Sequence, residues 1–199
     1  MWFHRFQFPQ APEMVALDVA YLGDPERGRA LVAAVDGLGG VVSDTRAVMS
    51  VADLGDITAE PTAPSPSVSR AELLTDLEDE TVAVLLGDTV APLVNIQVRH
   101  LGGALALPGA GARGALAEPY ALYLLGLGLP QLRDAVTAEQ RALVEALGAH
   151  VSGSKPYTFL APGESAAAAF APETLERLRM LKRKVDADNV IRANFGVLS

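Results

Sequence analysis

The sequence predicts an α+β fold: a mostly antiparallel sheet with helices packed on one face, plus a C-terminal helix and tail. Three observations lead there. Period-two apolar segments outnumber the helices that could carry parallel crossovers. The segment 93–100, Leu-Val-Asn-Ile-Gln-Val-Arg-His, reads as a central strand and closes on a glycine turn at Leu101-Gly102-Gly103-Ala104. The final stretch from Pro172 has helical apolar spacing and breaks at an Asp/Asn cluster.

Taken in order, the chain opens with two strands, Trp2–Phe8 and Met14–Tyr21, joined by a turn at Pro9–Pro12. Alternation places Trp2, His4, Phe6 and Phe8 on one face of the first. A chain that opens inside a strand reads as one whose start has been lost. A helix follows, with Asp24 as N-cap and Pro25 at its first position. Its apolar stripe is Leu31, Val32, Val35 and Leu38, and Gly39-Gly40 stops it. Val41–Val48 reads as a further strand, and Ala59–Pro66 as an exposed Pro-rich loop. Ser69 and Glu72 match a capping box, which predicts a helix burying Leu73, Leu74 and Leu77. After strand 93–100, a Gly/Ala loop at Pro108–Ala117 leads to a strand at Tyr120–Leu127. Thr137 and Gln140 match a second capping box, with Leu143, Val144 and Leu147 buried and Gly148 as the stop. Tyr157–Leu160 alternates aromatic and polar, which suits a strand. The last helix buries Leu175, Leu178, Leu181 and Val185 and shows Arg179, Lys182 and Arg183 to solvent. Asp186-Ala187-Asp188-Asn189 then stops it and reverses the chain. These elements divide into residues 1–150, a substrate-binding α+β domain, and residues 151–199, a C-terminal strand, helix and tail.

Composition narrows the chemistry. Half of the 199 residues are hydrophobic, enough for a sizeable core, and there is no cysteine. That rules out disulfides, thiolate zinc sites and a cysteine nucleophile. The net charge of −8 argues against general nucleic-acid binding. Residues 151–199 are nonetheless basic, with seven bases to five acids. They could face a phosphate, or simply complement a helix C-terminus. No apolar run reaches the roughly 18–20 residues that span a bilayer. The N-terminus lacks a signal-peptide pattern, so a cytoplasmic protein without membrane contact is expected.

No motif supplies a complete site. The glycine-rich stretch 102–111 lacks both nucleotide-binding patterns. His4, His100 and His150 are scattered, so no metal site is expected. His100, beside Arg99 at the end of the best strand, is either a structural histidine or a substrate contact. No serine stands in a nucleophile elbow.

Several stretches resemble one family. Leu178-Arg179-Met180-Leu181-Lys182-Arg183-Lys184-Val185-Asp186-Ala187-Asp188-Asn189-Val190-Ile191-Arg192-Ala193-Asn194-Phe195 resembles the C-terminal signature of FAD-linked oxidases of the berberine-bridge-enzyme-like group. Arg99-His100-Leu101-Gly102-Gly103-Ala104 resembles that group's Arg-His-x-Gly-Gly-Ala stretch, and Tyr157-Thr158-Phe159-Leu160 its aromatic-x-Asn-Phe-Leu strand. The resemblance implies an FAD-dependent oxidoreductase passing hydride from a small organic substrate to flavin. It places Tyr157 and Thr158 near the reactive face of the flavin, Asn189, Arg192 and Asn194 near the cofactor and domain junction, and Arg99 and His100 toward substrate. Thr158 departs from the usual asparagine, Ala187 from the usual proline and Val185 from the usual aromatic. Nothing matches the flavin-binding domain. The expected partners are therefore a small-molecule substrate and either a separate FAD-binding domain or a second copy. The alternative is a non-catalytic α+β binding module derived from such an enzyme.

Overall fold

A computed structural model describes residues 1–58, 63–87 and 89–198. They fall into two compact units, one formed by Trp2–Ala16 and Ser65–Ser199 and the other by Leu17–Pro64 with Met1.

The larger unit is built on a five-stranded antiparallel sheet, as the sequence predicts. Its strands are β1 (Trp2–Phe6), β2 (Met14–Asp18), β3 (Ser67–Leu74), β4 (Leu93–His100) and β5 (Tyr120–Leu127), in the order β2-β1-β4-β5-β3. The bounds of β4 and β5 are those read from the sequence. β1 and β2 are shorter than expected. Gln10 takes a φ of 66° in the turn between them, and the Ala11 amide donates to the Phe8 carbonyl.

One sheet face is aliphatic. Leu74, Ile96, Val98, Leu122 and Leu124 form the core there with Leu85, Val136 and Leu147 from the helices α2 (Asp79–Leu85) and α3 (Arg133–Leu147). α3 lies across β3, β4 and β5. Its stop at Gly148 is the expected one, at φ 51°, a backbone angle that favours glycine.

The helix expected behind Ser69 is absent. Ser67–Leu74 is a strand paired along its full length with β5. A capping box is a local preference of about 1 kcal/mol, and eight residues of ladder with two covered faces outweigh it. Leu73 and Leu74 are both buried because each faces a different side of the sheet. Thr137 also caps nothing. α3 begins four residues earlier, and Thr137 Oγ1 donates to the Arg133 carbonyl inside it.

Tyr157–Phe159 is a 3₁₀ turn rather than a strand, closed by the Phe159 amide on the Pro156 carbonyl. The last helix, α4 (Pro172–Val185), starts at the expected proline. Leu175 is buried and Leu178 half-buried, but Leu181 and Val185 are exposed, contrary to expectation. The half-buried flank instead carries Arg179 and Lys182, whose long side chains reach the returning tail at the carbonyls of Val197 and Ile191.

The smaller unit holds helix α1 (Pro25–Leu31), whose Asp24 carboxylate accepts from the Arg27 amide as a cap should. The stripe Leu31, Val32, Val35 and Leu38 stays unburied, and the helix ends at Leu31, well before Gly39. No strand forms at 41–48. There Arg46 turns back on Asp44 and Asp36, and Asp44 also accepts from the Arg46 amide, a local turn that competes with extension. The guanidinium holds the Asp44 carboxyl down at about 2. Of the expected loop at Ala59–Pro66, residues 59–62 lie outside the described residues, and residues 63–66 are exposed and in neither helix nor strand.

Candidate functional site

The second face of the sheet differs from the first. β1 sends Trp2, His4 and Phe6 to it, with Phe8 continuing the row at ring-centroid spacings of 6.3, 5.8 and 6.0 Å. β4 pairs Arg99 with Trp2, Gln97 with His4 and Asn95 with Phe6. The Gln97 amide nitrogen lies 3.1 Å from both nitrogens of the buried His4 ring, and the Asn95 amide nitrogen 3.2 Å from Nδ1. Arg99 Nε donates to the Gln97 side-chain oxygen. Polar side chains thus form a continuous row beside an aromatic one. The buried Asn95 Oδ1 has no hydrogen-bond partner among the described residues.

Arg99 is the junction of this face. Its guanidinium stacks 4.2 Å from the Trp2 ring, 4.9 Å from Phe159 and 5.6 Å from Tyr123. Phe159 in turn meets Tyr123 edge-on at 5.7 Å. The space left between Ala71, Arg99, Ala121, Tyr123, Pro156 and Phe159 is about 10 Å³, at the limit for one water. The charge of Arg99 is satisfied by protein rings and an amide. His100 lies beyond, exposed, against the Tyr120 ring at 5.6 Å.

A buried ion cluster fixes the segment carrying Phe159. Lys155 Nζ donates to the Ala71 carbonyl at 3.1 Å and to Glu72 Oε1 at 2.9 Å, and pairs closely with Glu164. Glu72 is 2% exposed and also accepts from Arg70 Nε at 2.7 Å. The capping role read for Glu72 is replaced by this one. Nothing in Gly153-Ser154-Lys155-Pro156 signals a buried lysine, so sequence reasoning missed the cluster.

Tyr157 and the tail meet. The Tyr157 hydroxyl donates to the Phe195 carbonyl at 2.9 Å, and its ring packs on Phe170 and Phe195. Thr158 is exposed. The tail is organised by Asp186, as the sequence indicates. Its carboxylate accepts from the amides of Val190 at 2.8 Å and Ile191 at 3.0 Å and pairs with Lys182, while Asn189 takes φ 50°. These bonds hold the Asp186 carboxyl below the usual carboxylate range, with Lys182 the largest cause. Replacing Asp186 with alanine is expected to speed hydrogen exchange at Val190 and Ile191 about five- to tenfold, the effect of losing a cap-type bond. Unchanged exchange there would show that the tail holds itself without Asp186.

Asn189, Arg192 and Asn194 are all exposed. Asn194 lines a shallow open cleft of about 420 Å³ with Pro162, Gly163, Glu164, Phe195 and Gly196. The structure therefore brings Tyr157 close to Asn194 through Phe195 and leaves Arg99 in its own aromatic setting. These residues do not fit FAD as its holder. Asn194 lines an open cleft that Arg192 does not line, and the glycine turn at 102–103 leads into a short 3₁₀ turn at Gly103–Ala106 rather than a phosphate cradle at a helix N-terminus.

Comparison with known protein families finds no family pattern that matches this chain, and comparison with curated proteins finds no relative. Among the described residues, no group of histidines and carboxylates could hold a metal ion, and no helix is long and apolar enough to cross a membrane.

A second polar cluster lies away from this face. The Asp76 carboxylate accepts from Thr75 and Thr81 hydroxyls, from the Glu78 amide and from His150 Nδ1 at 2.9 Å, and His150 Nε2 lies 3.7 Å from Glu80. The Asp76 partnership raises His150 above its ordinary value of 6.5, and His150 holds Asp76 down. A histidine raised by folding contributes stability that is full below its unfolded pKa and is lost as pH rises through the folded one. The melting-temperature gap between wild type and His150→Gln should therefore be wider at about pH 5.5 than at about pH 8.5. An equal gap at both would remove charge from the role of His150.

Proposed function

We propose that this chain forms the substrate-binding wall of an FAD-dependent oxidoreductase and works with a separate flavin-binding domain. Residues 1–150 supply the α+β wall and 151–199 the segment that joins it to the flavin domain. The observation that carries this reading is the second sheet face. A row of mutually tilted rings from Trp2 to Phe8, edged by Asn95, Gln97 and Arg99, suits an organic ligand with both aromatic and polar contacts better than it suits a purely hydrophobic core. The face carries hydrogen-bonding groups, and in this reading the flavin of the partner domain supplies the redox chemistry. In this reading Asn189, Arg192 and Asn194 are contacts to the flavin domain and its FAD. Tyr157 and Thr158 stand on the flavin side, and Arg99 and His100 on the substrate side. The setting is cytoplasmic.

A second reading, a non-catalytic binding module, is favoured by one observation. The Tyr157 hydroxyl donates to a backbone carbonyl, which favours its neutral form and works against a proton-accepting phenolate. Co-purification with a flavin-binding domain of the resembled group separates the two. A yellow complex whose flavin is bleached by a small alcohol or amine substrate supports the oxidoreductase. A complex that binds flavin without substrate-dependent bleaching supports the module. A colourless chain that captures no flavin domain overturns the first reading.

A further inference from the structure

Two exposed helix faces of the larger unit carry the same pattern with opposite charge. On α4, Arg177, Leu181 and Val185 follow one another at four-residue spacing, and Lys184 flanks them. At α2, Glu78, Val82 and Leu86 do the same across the helix and its two caps, with Asp79 alongside. All four apolar side chains are exposed: Leu181 at 55%, Val185 at 69%, Val82 at 37% and Leu86 at 51%. None of Arg177, Lys184, Glu78 and Asp79 has an ion pair among the described residues. The neighbouring charges are engaged: Arg179 and Arg183 with Glu176, Lys182 with Asp186, and Glu80 with His150.

We propose that these two faces recognise each other between copies of the chain. Both helices belong to one compact unit, and both faces are exposed within it, so neither covers the other in a single molecule. Laid side by side in parallel, Arg177 meets Glu78, Leu181 meets Val82 and Val185 meets Leu86. On this alignment Lys184 and Asp79 lie at opposite ends of the apolar seam, about 9 Å apart along the axis, so they add to the opposite charge of the two faces rather than forming a second pair. The match is of charge and of apolar spacing together, which picks a second copy over an uncharged apolar partner. Two short stripes make a small interface, so the association is weak and salt-sensitive. This inference is independent of the flavin reading.

Sedimentation velocity of the full chain tests it. Reversible, concentration-dependent self-association is expected at about 50 mM salt and its loss at about 500 mM. Two charge-reversed chains sharpen the test, Arg177→Glu with Lys184→Glu, and Glu78→Lys with Asp79→Lys. Each alone should be monomeric at low salt. Mixed, they should associate, because each then offers the other a complementary face. Leu181→Glu should also give a monomer, and circular dichroism checks that each variant is folded. A wild-type monomer at every concentration and salt would overturn the proposal. So would association that survives both reversals, or folded reversed chains that fail to associate when mixed.

Discussion

Replacing Lys155 with methionine should lower the unfolding free energy by about 3–5 kcal/mol, the cost of removing one partner from a buried ion pair. Lys155 is 9% exposed and satisfies Glu72, Glu164 and the Ala71 carbonyl at once. Methionine fills similar volume, so the loss is of charge and hydrogen bonds rather than packing. Glu72 keeps Arg70, which is half-exposed and holds only one of its oxygens. The double variant Lys155→Met, Glu72→Met removes both buried charges and should recover part of the loss. Urea denaturation of the three chains measures this. A single variant within about 1 kcal/mol of wild type would mean that water reaches Glu72 and replaces the lysine.

The second large effect is expected at Gly126. A Cβ built there would stand 2.4 and 2.6 Å from the two γ-methyls of Val136, which is fully buried. Gly126 lies on β5 where α3 crosses, so the methyl must push helix and sheet apart. Gly126→Ala should cost about 1–3 kcal/mol by overpacking. Val136→Ala alone should also destabilise, by emptying the same space. Combining them should cost less than the sum, since the new methyl occupies what the valine vacates. Additive losses would show that the two positions do not share that space.

Legibility in the sequence followed the range of the interactions. β4, β5 and the start of α4 were readable because their own residues decide them: alternation, bounding glycines, and a proline at the first helical turn. The Asp186 turn was readable for the same reason, since its carboxylate serves amides only four and five residues on. Both capping boxes misled. Glu72 and Gln140 have the right identities at the right offsets, yet each serves a distant partner. Glu72 meets Lys155, and Gln140 Nε2 donates to the carbonyls of Val68 and Leu124. A short-range pattern cannot tell a cap from a long-range contact made by the same side chain. The polar row His4–Gln97–Arg99 was half visible. Alternation put His4 on the aromatic face, but its alignment with β4 rests on a register across more than ninety residues. The exposure of Leu181 and Val185 was not visible, because helical periodicity gives the direction of a stripe and not its partner.

The Asp186 turn has a consequence for whatever meets the tail. Lys182, Arg179 and Tyr157 tie the returning chain at three further points, the carbonyls of Ile191, Val197 and Phe195. The backbone beneath Arg192 and Asn194 is therefore settled before any encounter. A partner that grips those two side chains spends its contact energy on recognition and little on ordering a segment. Cutting the ties should slow capture and weaken affinity while leaving every gripping atom in place.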